Sequence, residues 1–78
     1  MSTSTSGRSL ATIERAAEVL FLLTTKQGTI GVTEISKELE ISKAVVHRIL
    51  TSLCEHDLVV SDLVTRRYSL GPGALRLS

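Results

Sequence analysis

The sequence predicts a mainly α-helical fold with a small antiparallel β-hairpin, on three observations. Apolar residues recur at helical spacing in three successive stretches between Ile13 and Leu53. A short connection, Glu40-Ile41-Ser42, separates the second stretch from the third. Beyond them, Leu58-Val59-Val60 and Arg67-Tyr68-Ser69-Leu70 change to the β-branched and alternating patterns of strands.

Each element has its own signal. Residues 1–9 are rich in Ser, Thr and Gly and read as a disordered leader. Thr12 can cap a first helix from Ile13 to about Lys26, and Gly28 sits where a left-handed C-terminal cap belongs. Ile13, Ala16, Ala17, Leu20 and Leu23 form its expected buried stripe, with Leu22 opposite, beside Arg15 and Glu18. An outward Leu22 is a candidate contact with a second subunit. Gly31 can stand at the N-cap of a second helix with Glu34 three residues on, and Val32, Ile35, Ser36 and Leu39 share a face. Ser42 caps a third helix that ends near Glu55–Asp57. There Val46, Ile49, Leu50 and Leu53 converge on one side, while Lys43, Ala44, His47, Arg48, Thr51 and Ser52 lie on the other.

Two helices joined by a three-residue turn make a helix-turn-helix, whose second helix is available to a DNA major groove. The strands at 58–60 and 67–70, with a polar turn over 61–66, add a hairpin "wing". Gly71-Pro72-Gly73 then breaks the pattern, and Ala74–Leu77 can begin another helix. Residues 10–71 are thus expected to form one winged helix-turn-helix domain, three helices plus a two- to three-stranded antiparallel sheet.

Composition fits one small domain. The chain has 78 residues, and its 42% hydrophobic content is too high for compositional disorder. A single cysteine, Cys54, excludes an internal disulfide framework. The longest apolar run, Val19–Leu23, is too short to span a bilayer, and no signal pattern opens the chain. A cytoplasmic setting follows as the expectation. The net charge of +1 lacks the basic footprint usual for a nucleic-acid binder. That average hides a segregated pattern, since Ile41–Leu53 carries only the basic Lys43 and Arg48 plus His47, and Arg66, Arg67 and Arg76 dominate the end of the chain. Glu34, Glu38, Glu40, Glu55 and Asp57 surround the third helix.

Four stretches, in order, resemble the amino-terminal domain of the IclR family of bacterial transcriptional regulators. They are Ile13-Glu14-Arg15-Ala16 with Val19-Leu20, Val32–Leu39, Lys43–Leu50 and Arg67-Tyr68-Ser69-Leu70-Gly71. The sequence departs from that family's usual pattern at Ala44 and Val45 (commonly Ser and Thr), at Asp57 (commonly Gly), and at Leu63 and Arg66 (commonly Pro and Gly). The resemblance implies a homodimer on a palindromic operator in double-stranded DNA. It also implies that residues 72–78 begin a linker to a C-terminal effector domain absent from this sequence, through which alone a small-molecule effector would act.

The candidate DNA contacts follow from side-chain chemistry. Arg48 can donate two parallel hydrogen bonds to guanine, and Lys43 suits a phosphate or guanine. Ala44 and Val45 can pack on a thymine methyl, although Val45 borders the core stripe. His47 can donate to a phosphate or base. Thr33 and Ser42, near helix starts, can reach phosphates or serve only as local structure. Arg66 and Arg67 suit phosphate or a narrow minor groove from the wing. For every cation the competing reading is a solvated surface charge. Cys54, His56 and His47 supply too few ligands, without paired spacing, for a metal site. No cofactor motif or catalytic constellation is visible, so an enzyme is not expected. The alternative is a winged-helix protein-interaction module, to which the low net charge and the apolar Ala44/Val45 pair give some weight.

Overall fold

The computed structural model describes residues 7–26 and 28–76. The elements run α1 (Gly7–Thr25), β1 (Ile30–Gly31), α2 (Val32–Leu39), α3 (Lys43–Glu55), β2 (Val59–Asp62), β3 (Arg67–Leu70) and α4 (Pro72–Arg76). The first helix begins at Gly7 instead of Ile13. No proline interrupts 7–12, and Arg8, Leu10 and Ala11 are good helix formers, so Thr12 lies within the helix instead of at its start. Residues 7–9 of the expected leader are therefore helical, and residues 1–6 lie outside the described residues.

The helix-turn-helix follows its caps. The Gly31 N–H donates to Glu34 Oε1 at 2.9 Å at the start of α2. At its end Glu40 takes a left-handed conformation (φ 56°), and its N–H donates to the Ser36 carbonyl. Ile41 N–H donates to the same carbonyl, and the Ser36 hydroxyl donates to the Ile41 carbonyl. Ser42 is extended and its hydroxyl oxygen accepts from Val45 N–H at 3.2 Å, which starts α3. The tight turn thus fixes α3 against α2 with backbone groups satisfied locally.

The sheet has three antiparallel strands in the order β1-β3-β2. Val59 pairs with Leu70 and Asp62 with Arg67, while Ile30 and Gly31 pair with Tyr68 and Arg67. Asp57 turns the chain from α3 into β2 at φ 60°, a conformation that Asp tolerates better than most residues. Chain 71–73 then crosses directly over this turn. Gly71 N–H donates to the Leu58 carbonyl and Gly73 N–H to the Asp57 carbonyl, at 2.9 and 2.7 Å. A Cβ at either glycine would lie within 2.7 Å of the Asp57 carbonyl oxygen, so the crossing requires both glycines. Pro72, which has no N–H to satisfy, opens α4.

Val19, Leu23, Ile30, Ile35, Val46, Ile49, Leu50, Leu53 and Val59 form one buried core drawn from α1, β1, α2, α3 and β2. All four residues predicted for the inner face of α3 are in it. The stripe of α1 is rotated from the expected one. Val19 and Leu23 are its centre, Ala16 and Leu20 flank it, and Ile13 is exposed. Leu22 is not the outward residue that the sequence suggested. It is half-buried against the core, beside Leu39 of α2, because α2 covers that flank of the helix. Phe21, 69% exposed, takes the outward position with Ile13 and Ala17.

Candidate nucleic-acid interface

The outer face of α3 carries Lys43, Ala44, His47, Arg48, Thr51 and Ser52, all exposed. This is the consequence of burying the opposite side at helical spacing. Thr51 turns its hydroxyl back to the His47 carbonyl at 2.8 Å and is occupied within the helix. Among the described residues no carboxylate pairs with Lys43, Arg48 or Arg66. Val45 stands at the border, 37% exposed, as its position between core and open face predicts.

Between α3, the start of α2 and the wing lies an open groove of about 930 Å³. Lys43, Ala44 and His47 form one wall, Thr33 stands at the α2 end, and Leu63, Thr65 and Arg66 form the wing side. The groove therefore brings together Thr33, Lys43, Ala44, His47, Arg66 and Arg67 from segments far apart in sequence. Ser42, Val45 and Arg48 are not in its lining; Arg48 projects from the exposed face of α3 next to it, and Leu22 is remote. Ser42 uses a lone pair to cap α3, which leaves its O–H free to donate outward.

Arg67 lines the groove and is also bonded within the domain. Its Nε donates to Thr29 Oγ1 at 2.9 Å, and its Nη2 donates to the Thr29 carbonyl at 3.0 Å and to Glu34 Oε1 at 2.8 Å. Since Glu34 Oε1 also accepts from Gly31 N–H, one carboxylate oxygen joins the first turn of α2 to the central strand of the wing. The Gly31 N–H and the Arg67 guanidinium together hold the Glu34 carboxyl below its ordinary value of 4.5. Arg67 is thus an internal clamp, and Arg66 is the wing arginine free to meet a ligand. Thr29 and Glu34 are the partners that the sequence did not reveal. Their signal is the register Gly31↔Arg67, which exists only once the two-residue β1 has paired.

The residues considered for metal binding do not gather. Among the described residues no group of three His, Cys, Asp or Glu side chains could hold a metal ion. Cys54 is half-buried at the core's edge, where burial pushes its thiol pKa up. Among them, too, no helix is long and apolar enough to cross a membrane.

The IclR helix-turn-helix domain family matches residues 12–63, most of the chain and all of the helix-turn-helix. The chain belongs to the IclR family. A glycerol operon regulatory protein of Streptomyces coelicolor is 36% identical over 70 residues, which is 90% of this chain and 28% of that relative. A solved IclR transcriptional regulator from Alicyclobacillus acidocaldarius superposes with a TM-score of 0.80 at 36% identity, over 86% of this chain and 27% of that one. One from Brucella abortus gives a TM-score of 0.81 at 29% identity, over 87% and 26%. The chain thus spans about a quarter of the relatives it matches, and the shared part is the winged helix-turn-helix. As an IclR-type domain it is a DNA-binding module of transcriptional regulation, and its open α3 face and groove are the candidate surface.

Proposed function

We propose that this IclR-type domain reads an operator by seating α3 in the major groove. The carrying observation is the exposed face of α3, whose cations Lys43 and Arg48 have no acidic partner among the described residues. Arg48 reads a base edge, where two parallel hydrogen bonds to guanine provide ~1–3 kcal/mol of discrimination. Lys43 and His47 meet phosphate or base from the groove, Ala44 packs on a thymine methyl, and Val45 touches the same edge from the border of the core. Thr33 and Ser42 donate to phosphates beside the N-termini of α2 and α3. Arg66 meets the flanking backbone or minor groove.

One such module buries only ~600–1,000 Å² on DNA, so a second copy is needed for useful affinity. The domain acts as a homodimer in the cytoplasm, on a palindromic site with half-sites about one helical turn apart. Ile13, Ala17 and Phe21 on the outer face of α1 supply an apolar contact, with Leu22 at its edge. Effector response belongs to the part of the regulator beyond residues 72–78.

Selection of bound duplexes from a random pool tests the reading. A recovered symmetric motif is the expected result, and Arg48→Ala should relax preference at one position of each half-site. Recovery of no motif at low salt would overturn DNA reading. Equal weakening of Arg48→Ala on all sequences would confine Arg48 to phosphate.

A further inference from the structure

The tip of the wing is an unusual place for large apolar side chains. Leu63 is 88% exposed and Val64 92%, the most exposed of the large hydrophobic residues described. Hairpin tips ordinarily carry Gly, Asn, Asp or Ser, which serve turn geometry at no hydrophobic cost. Here the turn is closed by other means. Asp62 Oδ1 accepts from Val64 N–H at 2.8 Å and from Thr65 N–H at 3.2 Å, and the Asp62 carbonyl accepts from Arg66 N–H at 2.7 Å. Arg66 completes the turn at φ 59°. The N–H groups of Val64, Thr65 and Arg66 are therefore satisfied from within, and Leu63 and Val64 are presented outward by a closed turn. At the other end of β3, Leu70 packs against the core, and at its start Arg67 is clamped to Thr29 and Glu34, so the wing has an anchored base.

Leu63 also lines the groove that contains Lys43 and His47. The tip is thus continuous with the face of α3 proposed to read the major groove. A duplex seated on α3 brings its flanking backbone, and the minor groove beyond it, towards the wing. Leucine is among the side chains that proteins insert as wedges between base pairs from the minor groove. Arg66 adjoins the tip and supplies a charge attracted to the same groove.

We propose that Leu63 and Val64 form an apolar wedge that enters the minor groove flanking the site read by α3, with Leu63 opening a pyrimidine–purine step. The proposal rests on the DNA reading above and adds a contact by which the domain selects flanks for deformability. It makes a distinctive demand on sequence. Arginine alone favours narrow, stiff A-tracts, whereas a wedge favours TA or CA steps, which unstack most easily. The two contacts thus pull flank preference in opposite directions.

The test uses this 78-residue chain and the duplex that it enriches from a random pool. Two versions of that duplex carry either a TA step or an A-tract in the flank, and 2-aminopurine beside the step reports unstacking. The unaltered chain should bind the TA version about fivefold more tightly than the A-tract version and raise the 2-aminopurine signal. The pair L63S/V64S should lose both effects while it keeps the motif read by α3 and its salt dependence. Leu63→Phe, another wedge residue, should retain them. A recovered motif with no flank preference, or with preference for the A-tract, would refute the wedge and leave DNA reading intact. So would a lower oligomeric mass for L63S/V64S with flank preference unchanged, since the tip would then contact a second copy. A pool that yields no motif would refute both.

Discussion

Ser42 caps α3 and is proposed to reach a phosphate, and substitution can divide the two roles. Its hydroxyl oxygen accepts from Val45 N–H at 3.2 Å, and its O–H is free to donate to a phosphate at the start of α3. Loss of an N-cap costs ~0.5–2 kcal/mol. This bond is at the long end for N–H···O, and the residue is exposed, so water can replace part of it. Ser42→Ala should therefore cost about 0.5–1 kcal/mol, a fall in Tm of roughly 2–8 °C for a domain of this size. It should also weaken DNA binding by roughly two- to tenfold through loss of one hydrogen bond. Ser42→Asp keeps a capping acceptor and places a negative charge at the positive end of the helix, so thermal stability should match or exceed that of the unaltered chain. Next to a phosphate, however, the same carboxylate repels, and affinity should fall further than in Ser42→Ala. Thermal unfolding followed by circular dichroism and duplex titration by fluorescence anisotropy give the two readouts. If Ser42→Asp melts as low as Ser42→Ala, the side chain is not the cap. If it binds DNA as well as serine does, the start of α3 is not near a phosphate.

Other expectations test the scaffold. Gly73→Ala would put a methyl 2.7 Å from the Asp57 carbonyl oxygen, and because both sides are backbone it should cost about 1–3 kcal/mol in denaturant unfolding; an unchanged midpoint would show that the crossing is slack. The depressed Glu34 pKa makes its contribution to stability present above its ordinary 4.5 and lost as pH falls through the lowered folded value. Glu34→Gln should therefore flatten the acid limb of the Tm-against-pH curve, and an identical limb would remove the clamp from the stability balance. Phe21→Glu should leave the melting profile of the monomer intact but lower the sedimentation mass of a dimer; an unchanged distribution would remove the outer face of α1 from the interface.

What the sequence reveals and what it conceals divide on physical lines. The α2–α3 unit was legible because each signal there is local: the N-caps Gly31 and Ser42, and an inner face with clear helical period. The hairpin was legible from its alternation, and its turn tightened to 63–66 only because Ser61 and Asp62 extend β2. The facing of α1 was misread because Val19-Leu20-Phe21-Leu22-Leu23 is apolar all round the helix. Periodicity cannot phase such a run, so packing decides it: α2 covers Leu22, and Phe21 remains outside. β1 is two residues long, too short for any pattern. The position of Arg67 depends on that pairing, so an arginine that looked available from the sequence proves to be tied internally. The groove gathers most of the remaining expected residues, and Arg48 stays on the open helix face beside it.

The modest net charge acquires a meaning from these positions. Arg15 pairs with Glu18 at 3.0 Å and Lys26 with Glu38 at 3.8 Å outside the groove, and Arg67 pairs with Glu34 at 2.8 Å within its lining. Lys37 stands in the last turn of α2, where the helix dipole favours a cation. Three of the eight acidic residues that bring the total to +1 thus answer cations within the scaffold. On the proposed DNA surface Lys43, Arg48 and Arg66 have no such partner among the described residues. A surface with so few free cations gains little from counterion release, since each phosphate contact adds only ~0.9 to the salt slope. Non-specific affinity should therefore be low, and on the proposed reading base contacts, the wing and a second copy supply what bulk charge does not. Weak charge on one copy then becomes a reason for specificity: an operator that engages two copies gains on both, while random DNA holds each only loosely.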